Sequence, residues 1–194
     1  MAVYPRSVPA VPLLFFVALS VLLTACSGSP SAAPPTSSTT TPPPTSPSVS
    51  ATPSPDPTAT AKAEVLAVYR GYWAAKVAAH AAPAGPVPKD LSTYAIAKAQ
   101  TDTEATILRL RQQGIAFRGD PVLSPDVTTI DLGQASAAIS DCVDSTHWLP
   151  VFVATGKSAL APGQPMRVIV ESTARIYSGR WVIDTSVAHR DRTC

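Results

Sequence analysis

Several residue types are scarce in this 194-residue chain, and each scarcity excludes a class of function. The chain contains no asparagine, so it has no acceptor for N-linked glycans. Charged residues make up 14% of the chain, the formal net charge is +2, and the lysines and arginines form no cluster. A protein that binds nucleic acid through phosphate contacts needs a basic patch. We therefore expect no nucleic-acid partner.

Histidine and glycine are also sparse, which argues against metal and phosphate sites. The three histidines, His80, His147 and His189, are scattered along the chain, whereas a catalytic zinc site takes three protein ligands. We interpret all three as structural, solvent-facing side chains. The glycine in the segment APGQP, at 161–165, lacks the spacing of a phosphate-binding loop. The sequence predicts no metal and no cofactor.

The longest apolar run lies near the N-terminus. Arg6 precedes the run at 11–23, and small residues follow it, which is the layout of a secretory signal peptide. The run is shorter than the ~20 apolar residues that a helix needs to cross a bilayer. It contains no Arg-Arg pair, which favours general secretion over the route for folded proteins. We therefore predict a signal peptide over 1–25.

The end of this segment, at 23–26, has the sequence Leu-Thr-Ala-Cys and resembles the bacterial lipobox. In that motif the cysteine is joined through its sulfur to a diacylglycerol, and the chain is cut just before it. The resemblance implies that Cys26 is lipidated and anchors the protein to the outer face of the cytoplasmic membrane. Two or more acyl chains give stable anchoring, because each buried methylene contributes ~0.8 kcal/mol. The alternative is an ordinary signal peptide with a chance cysteine.

The segment at 27–60 consists almost entirely of Ser, Thr, Pro and Ala, and Asp56 is its only charged residue. It has too few large apolar groups to offset the entropy lost on ordering. We therefore predict that 26–60 is a lipidated cysteine followed by a disordered stalk with polyproline character. The remaining residues, 61–194, have the length of one ordinary domain.

A helix is predicted over 62–81. Apolar and aromatic residues recur at steps of four and form a stripe along it: Val65, Tyr69, Trp73 and Val77. Gly71 lies within the helix, where glycine costs ~1 kcal/mol relative to alanine. We interpret this glycine as a place where a neighbouring group comes close.

Two further helices are predicted before the chain changes its pattern. The segment AAPAGPVP, at 81–88, breaks the first helix. A short helix is expected near 90–98. The sequence Thr-Asp-Thr-Glu, at 101–104, has the pattern of a capping box and predicts the start of a third helix. That helix is expected to end at Gly114.

Strands are predicted after the third helix. Ser178 and Gly179 form a two-residue hairpin turn, which sets Tyr177 opposite Arg180. In this register one face of the hairpin is almost wholly apolar, and it carries Val168, Val170, Ala174, Ile176, Trp181, Ile183 and Val187. Two or three more strands fit within 115–153. Helices followed by an antiparallel sheet give an α+β fold.

The opposite face of this hairpin is polar. It carries Arg175 and Asp184 at diagonal positions, which predicts a cross-strand ion pair. A polar face of this kind meets either water or a partner. A homodimer through this face is one hypothesis.

The order of helix, short helix, helix and curved sheet resembles the NTF2-like superfamily of cone-shaped α+β domains. The segments GIAFRGDPVLSPDV, CVDSTHW, ATGK and RWVIDTS, with the terminal cysteine, are similar to secreted NTF2-like lipoproteins of high-GC Gram-positive bacteria. The resemblance implies N-terminal helices packed on a curved antiparallel sheet, with a pocket between them. The superfamily contains both enzymes and non-enzymes, so the resemblance assigns no activity.

Cys142 lies in a segment that also contains Asp141, Asp144 and His147. This segment allows three interpretations: a nucleophile with its base, a metal site, or a disulfide. With Cys26 lipidated, Cys142 and Cys194 form an even pair outside the cell, and such pairs are most often disulfides. Counting by twos along the strands puts both cysteines on the polar face, and the resemblance adds support. We therefore predict a disulfide between them.

The residues expected to line a pocket are Tyr69, Trp73 and Tyr94, although an aromatic stripe is also typical of a core. No set of acid and base residues converges in the sequence. We therefore predict a non-enzymatic binding or accessory module, whose partner is another envelope protein or a small apolar ligand. The alternatives are an NTF2-like isomerase or hydrolase with an unrecognised pocket, and a structural spacer in an envelope complex.

Overall fold

The computed structural model of the protein describes residues 56–194. The predicted signal peptide, Cys26 and most of the predicted stalk lie outside these residues. The ordered part begins earlier than expected, because helix α1 spans Pro57–Ala81. The Asp56 side chain accepts a hydrogen bond from the N–H of Thr58 (2.9 Å) and so caps the helix. Pro57 fits the first helical position, where an N–H has no partner within the helix.

Helix α2 spans Lys89–Tyr94, and helix α3 spans Ala97–Gln113. The predicted start of α3 at a capping box is wrong. The Thr101 and Thr103 hydroxyls lie inside the helix and donate to carbonyl oxygens four residues earlier, at 3.0 and 2.8 Å. The predicted end is confirmed, since Gly114 has a φ of 63° and closes the helix in the left-handed conformation.

The helices pack against one another through the predicted close approach at Gly71. A Cβ atom at this position would lie 2.5 Å from the Tyr94 ring, which is closer than any side chain allows. Glycine therefore lets the ring lie directly on the backbone of α1. The aromatic stripe is buried as predicted, with Tyr69 and Trp73 no more than 3% exposed.

Within residues 56–194, six antiparallel strands follow the helices and form two sheets. A four-stranded sheet has the order β2-β3-β5-β6, and a separate pair joins β1 to β4. This confirms an α+β fold with helices packed on antiparallel sheets, although 115–153 holds four strands rather than two or three. The strands are β1 (Ile115–Arg118), β2 (Pro125–Asp131), β3 (Ser136–Asp144), β4 (Leu149–Phe152), β5 (Arg167–Tyr177) and β6 (Arg180–His189).

The hairpin between β5 and β6 has the predicted turn and register. Ser178 and Gly179 both have positive φ, and Tyr177 lies opposite Arg180. The predicted cross-strand ion pair is also present, with 3.2 Å between the guanidinium of Arg175 and the carboxylate of Asp184.

A β-bulge changes the predicted faces of β6. The pairing shifts at Asp184, so that Thr173 lies opposite Thr185 while the next pair along the hairpin joins Ala174 to Ile183. One extra residue moves every later side chain of the strand to the other face. The predicted apolar position of Val187 is therefore wrong. Val187 lies opposite Glu171 on the polar face and is 41% exposed.

Candidate functional site

A cavity of about 260 Å³ lies between helices α1 and α3 on one side and strands β3, β5 and β6 on the other. The loop at 160–166 and the residues near β1 and β4 complete its walls. Its volume is close to the lower end of the ~300–1,000 Å³ that is typical of ligand pockets. The lining side chains that matter for its chemistry are Tyr72, Trp73, Lys76, His80, Asp102, Phe117, Trp148, Ser186 and Arg190.

Aromatic rings form one wall of the cavity. The centroids of Trp73 and Trp148 are 5.9 Å apart, and those of Phe117 and Trp148 are 4.6 Å apart. Such distances are typical of favourable aromatic pairs. The indole nitrogens of both tryptophans are buried, and neither has a hydrogen-bond partner among residues 56–194. Packing of the rings against one another holds them in place, and their carbon faces make this wall of the cavity largely apolar.

His80 belongs to the same wall. The prediction that its side chain faces solvent is wrong. The residue is 3% exposed, and its ring packs at 5.4 Å from the centroids of both Phe117 and Trp148. Its Nδ1 bonds to the carbonyl oxygen of Lys76 at 2.7 Å, an acceptor that requires Nδ1 to carry the hydrogen. The position of His80, seven residues after Trp73 on the buried stripe, was the signal in the sequence.

Burial sets the charge state of this histidine. Burial, the largest cause, and the nearby charge of Lys76 both lower the pKa of His80, and the hydrogen bond to the backbone raises it; together they bring the pKa from 6.5 to about 4. The imidazole is therefore neutral at pH 7. With Nδ1 protonated, Nε2 keeps its lone pair and acts as an acceptor.

The cavity carries more positive than negative charge. The Lys76 ammonium lies 4.3 Å from the centroid of the Trp73 ring and 5.7 Å from that of Tyr72. Arg190 also lines the cavity. The lining carboxylate of Asp102 lies 2.7 Å from the ammonium of Lys98 on the same helix. Among the described residues, neither Lys76 nor Arg190 has a carboxylate within salt-bridge distance.

Asp141 and Tyr69 form a buried pair outside the cavity. Asp141 is 1% exposed and accepts hydrogen bonds from the hydroxyl of Tyr69 (2.9 Å) and the N–H of Ser124 (2.7 Å). Burial raises the pKa of Asp141, and these two hydrogen bonds lower it again in part. Burial and the Asp141 charge raise the pKa of Tyr69. The pair joins helix α1 to strand β3.

In the sequence, the alternation of core-facing and outward-facing residues along β3 is the pattern that indicates a buried role for Asp141. Asp141 shares a face with Ile139 and Val143, both of which are buried, while Cys142 lies on the other face. A carboxylate among apolar residues on a core face needs hydrogen-bond donors. The same alternation that puts Cys142 on the polar face puts Asp141 on the core face.

Only one of the three residues predicted to line the pocket does so. Trp73 lines the cavity, and its neighbour Tyr72 takes the place expected for Tyr69. Tyr69 points to Asp141 in the core instead. Tyr94 packs on Gly71 and borders a separate surface groove. The reason is that α1 is buried on more than one side, so residues four apart on its stripe meet different neighbours.

Cys142 and Cys194 are joined in a disulfide, with 2.10 Å between the sulfurs and 5.9 Å between the Cα atoms. The bond links strand β3 to residue 194. A second contact holds the same tail, since Glu171 accepts from Arg192 at 2.7 Å and lies 3.0 Å from His189. A bonded Cys142 has no thiolate to act as a nucleophile or metal ligand. Among residues 56–194, no three His, Cys, Asp or Glu side chains are grouped so that they could hold a metal ion.

Comparisons with known proteins give little further information. No protein-family model matches the chain, and no curated protein matches it. Among solved structures, the chain is similar to the crystal structure of the intermembrane space region of chloroplast protein ARC6. The identity is 13%, the match covers 73% of this chain and 100% of that chain, and the TM-score is 0.43. A likeness of this size carries no functional argument. No helix within 56–194 is long and apolar enough to cross a membrane.

Proposed function

We propose that this protein is a membrane-anchored, extracytoplasmic binding module whose folded domain holds a small ligand in the cavity between helices and sheet. The observation that carries the proposal is the aromatic-walled cavity itself. Large apolar side chains with a few polar groups among them are typical of ligand sites. Trp73, Phe117 and Trp148 supply the apolar surface, and His80 supplies a fixed acceptor.

The location rests on two different features of the chain. The disulfide between Cys142 and Cys194 is of a kind that persists outside the reducing cytoplasm. The lipobox-like sequence at 23–26 supports lipidation at Cys26 after export. We infer that the domain belongs to the NTF2-like cones, since three helices pack on a bulged antiparallel sheet and enclose a cavity.

An enzymatic role is the second candidate, because His80 and Asp102 both line the cavity. A histidine and a carboxylate are the groups that general acid–base catalysis uses most often. The environment of each group weakens the case. A histidine with a pKa of about 4 is a poor base at pH 7, and Asp102 is held by Lys98. Binding without chemistry therefore fits the cavity better.

Ligand binding in the cavity is tested by a substitution that fills the cavity. The experiment uses the mature chain from position 26 with Cys26→Ser, so that the protein stays in solution. The probe is 2-naphthol, a neutral aromatic molecule. Ala188 lies on the cavity face of β6, and Val187 lies on the opposite face. We expect Ala188→Phe to weaken the binding measured by calorimetry by about tenfold, which is the effect of losing ~1.4 kcal/mol of contact. Val187→Phe is the matched control and is expected to bind like the parent. No binding by the parent, or equal loss in both variants, would contradict the proposal.

The anchor is tested on the native protein. Mass spectrometry of the purified lipoprotein is expected to find a diacylglycerol on Cys26, and Cys26→Ser is expected to move the protein from the membrane fraction to the soluble fraction. Cys194→Ser removes a different cysteine and is expected to leave the protein in the membrane fraction. An unmodified Cys26 in native material would refute the anchor.

A further inference from the structure

We propose that the ligand of this cavity is a small amphipathic anion, whose apolar body packs on the aromatic wall and whose charged group meets Lys76 and Arg190. This inference rests on the proposed function, because it assigns a ligand class to the same cavity.

Lys76 holds a positive charge against the aromatic wall of the cavity. Its side chain is half-buried, and its ammonium lies over the face of Trp73 at 4.3 Å. An ammonium above an aromatic face is held there by the ring quadrupole. The stacking fixes the charge against the wall where the apolar part of a ligand would lie. It leaves the ammonium without an anion, since no carboxylate within 56–194 comes within salt-bridge distance.

Cations outnumber anions among the described residues that line the cavity. Arg190 likewise has no carboxylate partner among the described residues, while the lining carboxylate of Asp102 is already paired with Lys98 at 2.7 Å. The half-buried Lys76 beside the aromatic wall and the exposed Arg190 therefore both contribute a positive potential to the cavity. A charged group is favoured in such a place only if it has the opposite sign.

The apolar wall determines the rest of the ligand. His80 is neutral, and the rings of Trp73, Phe117 and Trp148 offer no charge to a ligand. A fully polar anion such as phosphate alone would leave this surface unused. A cationic ligand would find one lining carboxylate among residues 56–194, that of Asp102, which is exposed and already paired with Lys98. A ligand with a flat or short apolar body and one anionic group can pack on the aromatic wall and place its charge near Lys76 and Arg190.

The test uses three probes with the same naphthalene body and different charges at pH 7: 2-naphthoate, 2-naphthol and 2-naphthylmethylammonium. Affinities are measured by calorimetry on the mature chain with Cys26→Ser. We expect the anion to bind about tenfold more tightly than the neutral probe, as one charge-assisted contact would give, and the cation to bind least. The preference is expected to shrink as salt is raised, because the site opens to solvent.

The variant Lys76→Gln is expected to remove most of the preference for 2-naphthoate and to leave the affinity for 2-naphthol within about twofold. Lys76→Arg keeps the charge and is expected to retain the preference. Lys157→Gln removes an exposed lysine that does not line the cavity and serves as the control. Equal binding of 2-naphthoate and 2-naphthol would overturn this inference and leave the binding module intact. Binding of neither probe would overturn both.

Discussion

The buried His80 predicts that the folded domain loses stability in mild acid. Its imidazole is neutral in the folded state because burial, together with the charge of Lys76, lowers its pKa to about 4, against 6.5 in the unfolded chain. Between these two values the unfolded state takes up a proton that the folded state does not. The free energy of unfolding must therefore fall as the pH falls through this window. It is unaffected by His80 above about pH 7.5.

The size of the loss follows from the two pKa values. Each pH unit across the window changes the free energy of unfolding by 1.36 kcal/mol, so acidification from pH 8 to pH 5 lowers it by about 2 kcal/mol. Because the side chain is only 3% exposed, no discount for solvent screening is needed. A loss of this size is a large share of the 5–15 kcal/mol that is typical of a domain.

The assay compares urea unfolding of the oxidised domain at pH 8 and at pH 5. His80→Phe keeps an aromatic ring beside Phe117 and Trp148 but does not titrate, so its stability is expected to change by about 2 kcal/mol less between the two pH values. His147→Phe makes the same substitution at an exposed histidine and is expected to keep the pH dependence of the parent. Other groups affect parent and variant alike and cancel in the comparison. Asp141, for example, has a raised pKa and favours folding as the pH falls from that value toward 3.8.

The prediction fails if His80→Phe and the parent lose the same stability between pH 8 and pH 5. In that case His80 is protonated in the folded state, and its ring is not enclosed by the aromatic wall. A larger loss in the variant than in the parent would contradict the sign of the argument.

Three other perturbations have expected outcomes. Tyr69→Phe removes a hydrogen-bond donor to the buried Asp141 and is expected to lower the free energy of unfolding in urea by about 1–3 kcal/mol. Tyr72→Phe removes a hydroxyl that is bonded to another hydroxyl and is expected to lower it by less. The reverse order of the two losses would contradict the prediction. Gly71→Ala puts a methyl group against the Tyr94 ring and is expected to lower the melting temperature, even though alanine favours helices by ~1 kcal/mol; a rise would show that the ring can move away. Reduction of the disulfide, which closes a separation of 52 residues, is expected to cost about 2–4 kcal/mol in the same urea assay, and an unchanged midpoint would argue against a bond between these two cysteines.

Features that depend on local chemistry were predictable from the sequence. The left-handed end of α3 at Gly114, the turn at Ser178 and Gly179, and the approach at Gly71 each follow from what glycine or a short turn allows. The ion pair of Arg175 and Asp184 followed from the register that the turn imposes. It was found at 3.2 Å.

Features that depend on distant parts of the chain were not predictable in this way. The start of α3 is fixed from outside the helix, since the N–H of Ile96 donates to the carbonyl of Ile183 at 2.9 Å, whereas the expected cap residues use their hydroxyls within the helix. The roles of Tyr69 and His80 likewise depend on which strand or ring lies opposite each one. Periodicity identifies a buried stripe on a helix, but it does not identify the residues of other elements that pack against that stripe.

The cavity itself could be predicted only in part. Trp73 was expected to line it, but Lys76 and Arg190, which determine its charge, look like ordinary surface residues in the sequence. Arg190 directly follows β6, whose residues reach the cavity only because the strand shifts at Asp184. No composition or motif records such a shift.

That shift divides β6 into two parts whose residues have different surroundings. Before Asp184 the strand is buried at three successive residues, Trp181, Val182 and Ile183, so polar replacements are expected to be harmful at each of them. After it, Ser186 and Ala188 line the cavity, while Val187 lies on the opposite face. A survey of bulky replacements in the second part is therefore expected to affect ligand binding at the even-numbered positions and to spare the odd-numbered ones. Removing Asp184 is therefore expected to give a regular strand in which Ser186 and Ala188 keep their places at the cavity and Val187 stays on the polar face.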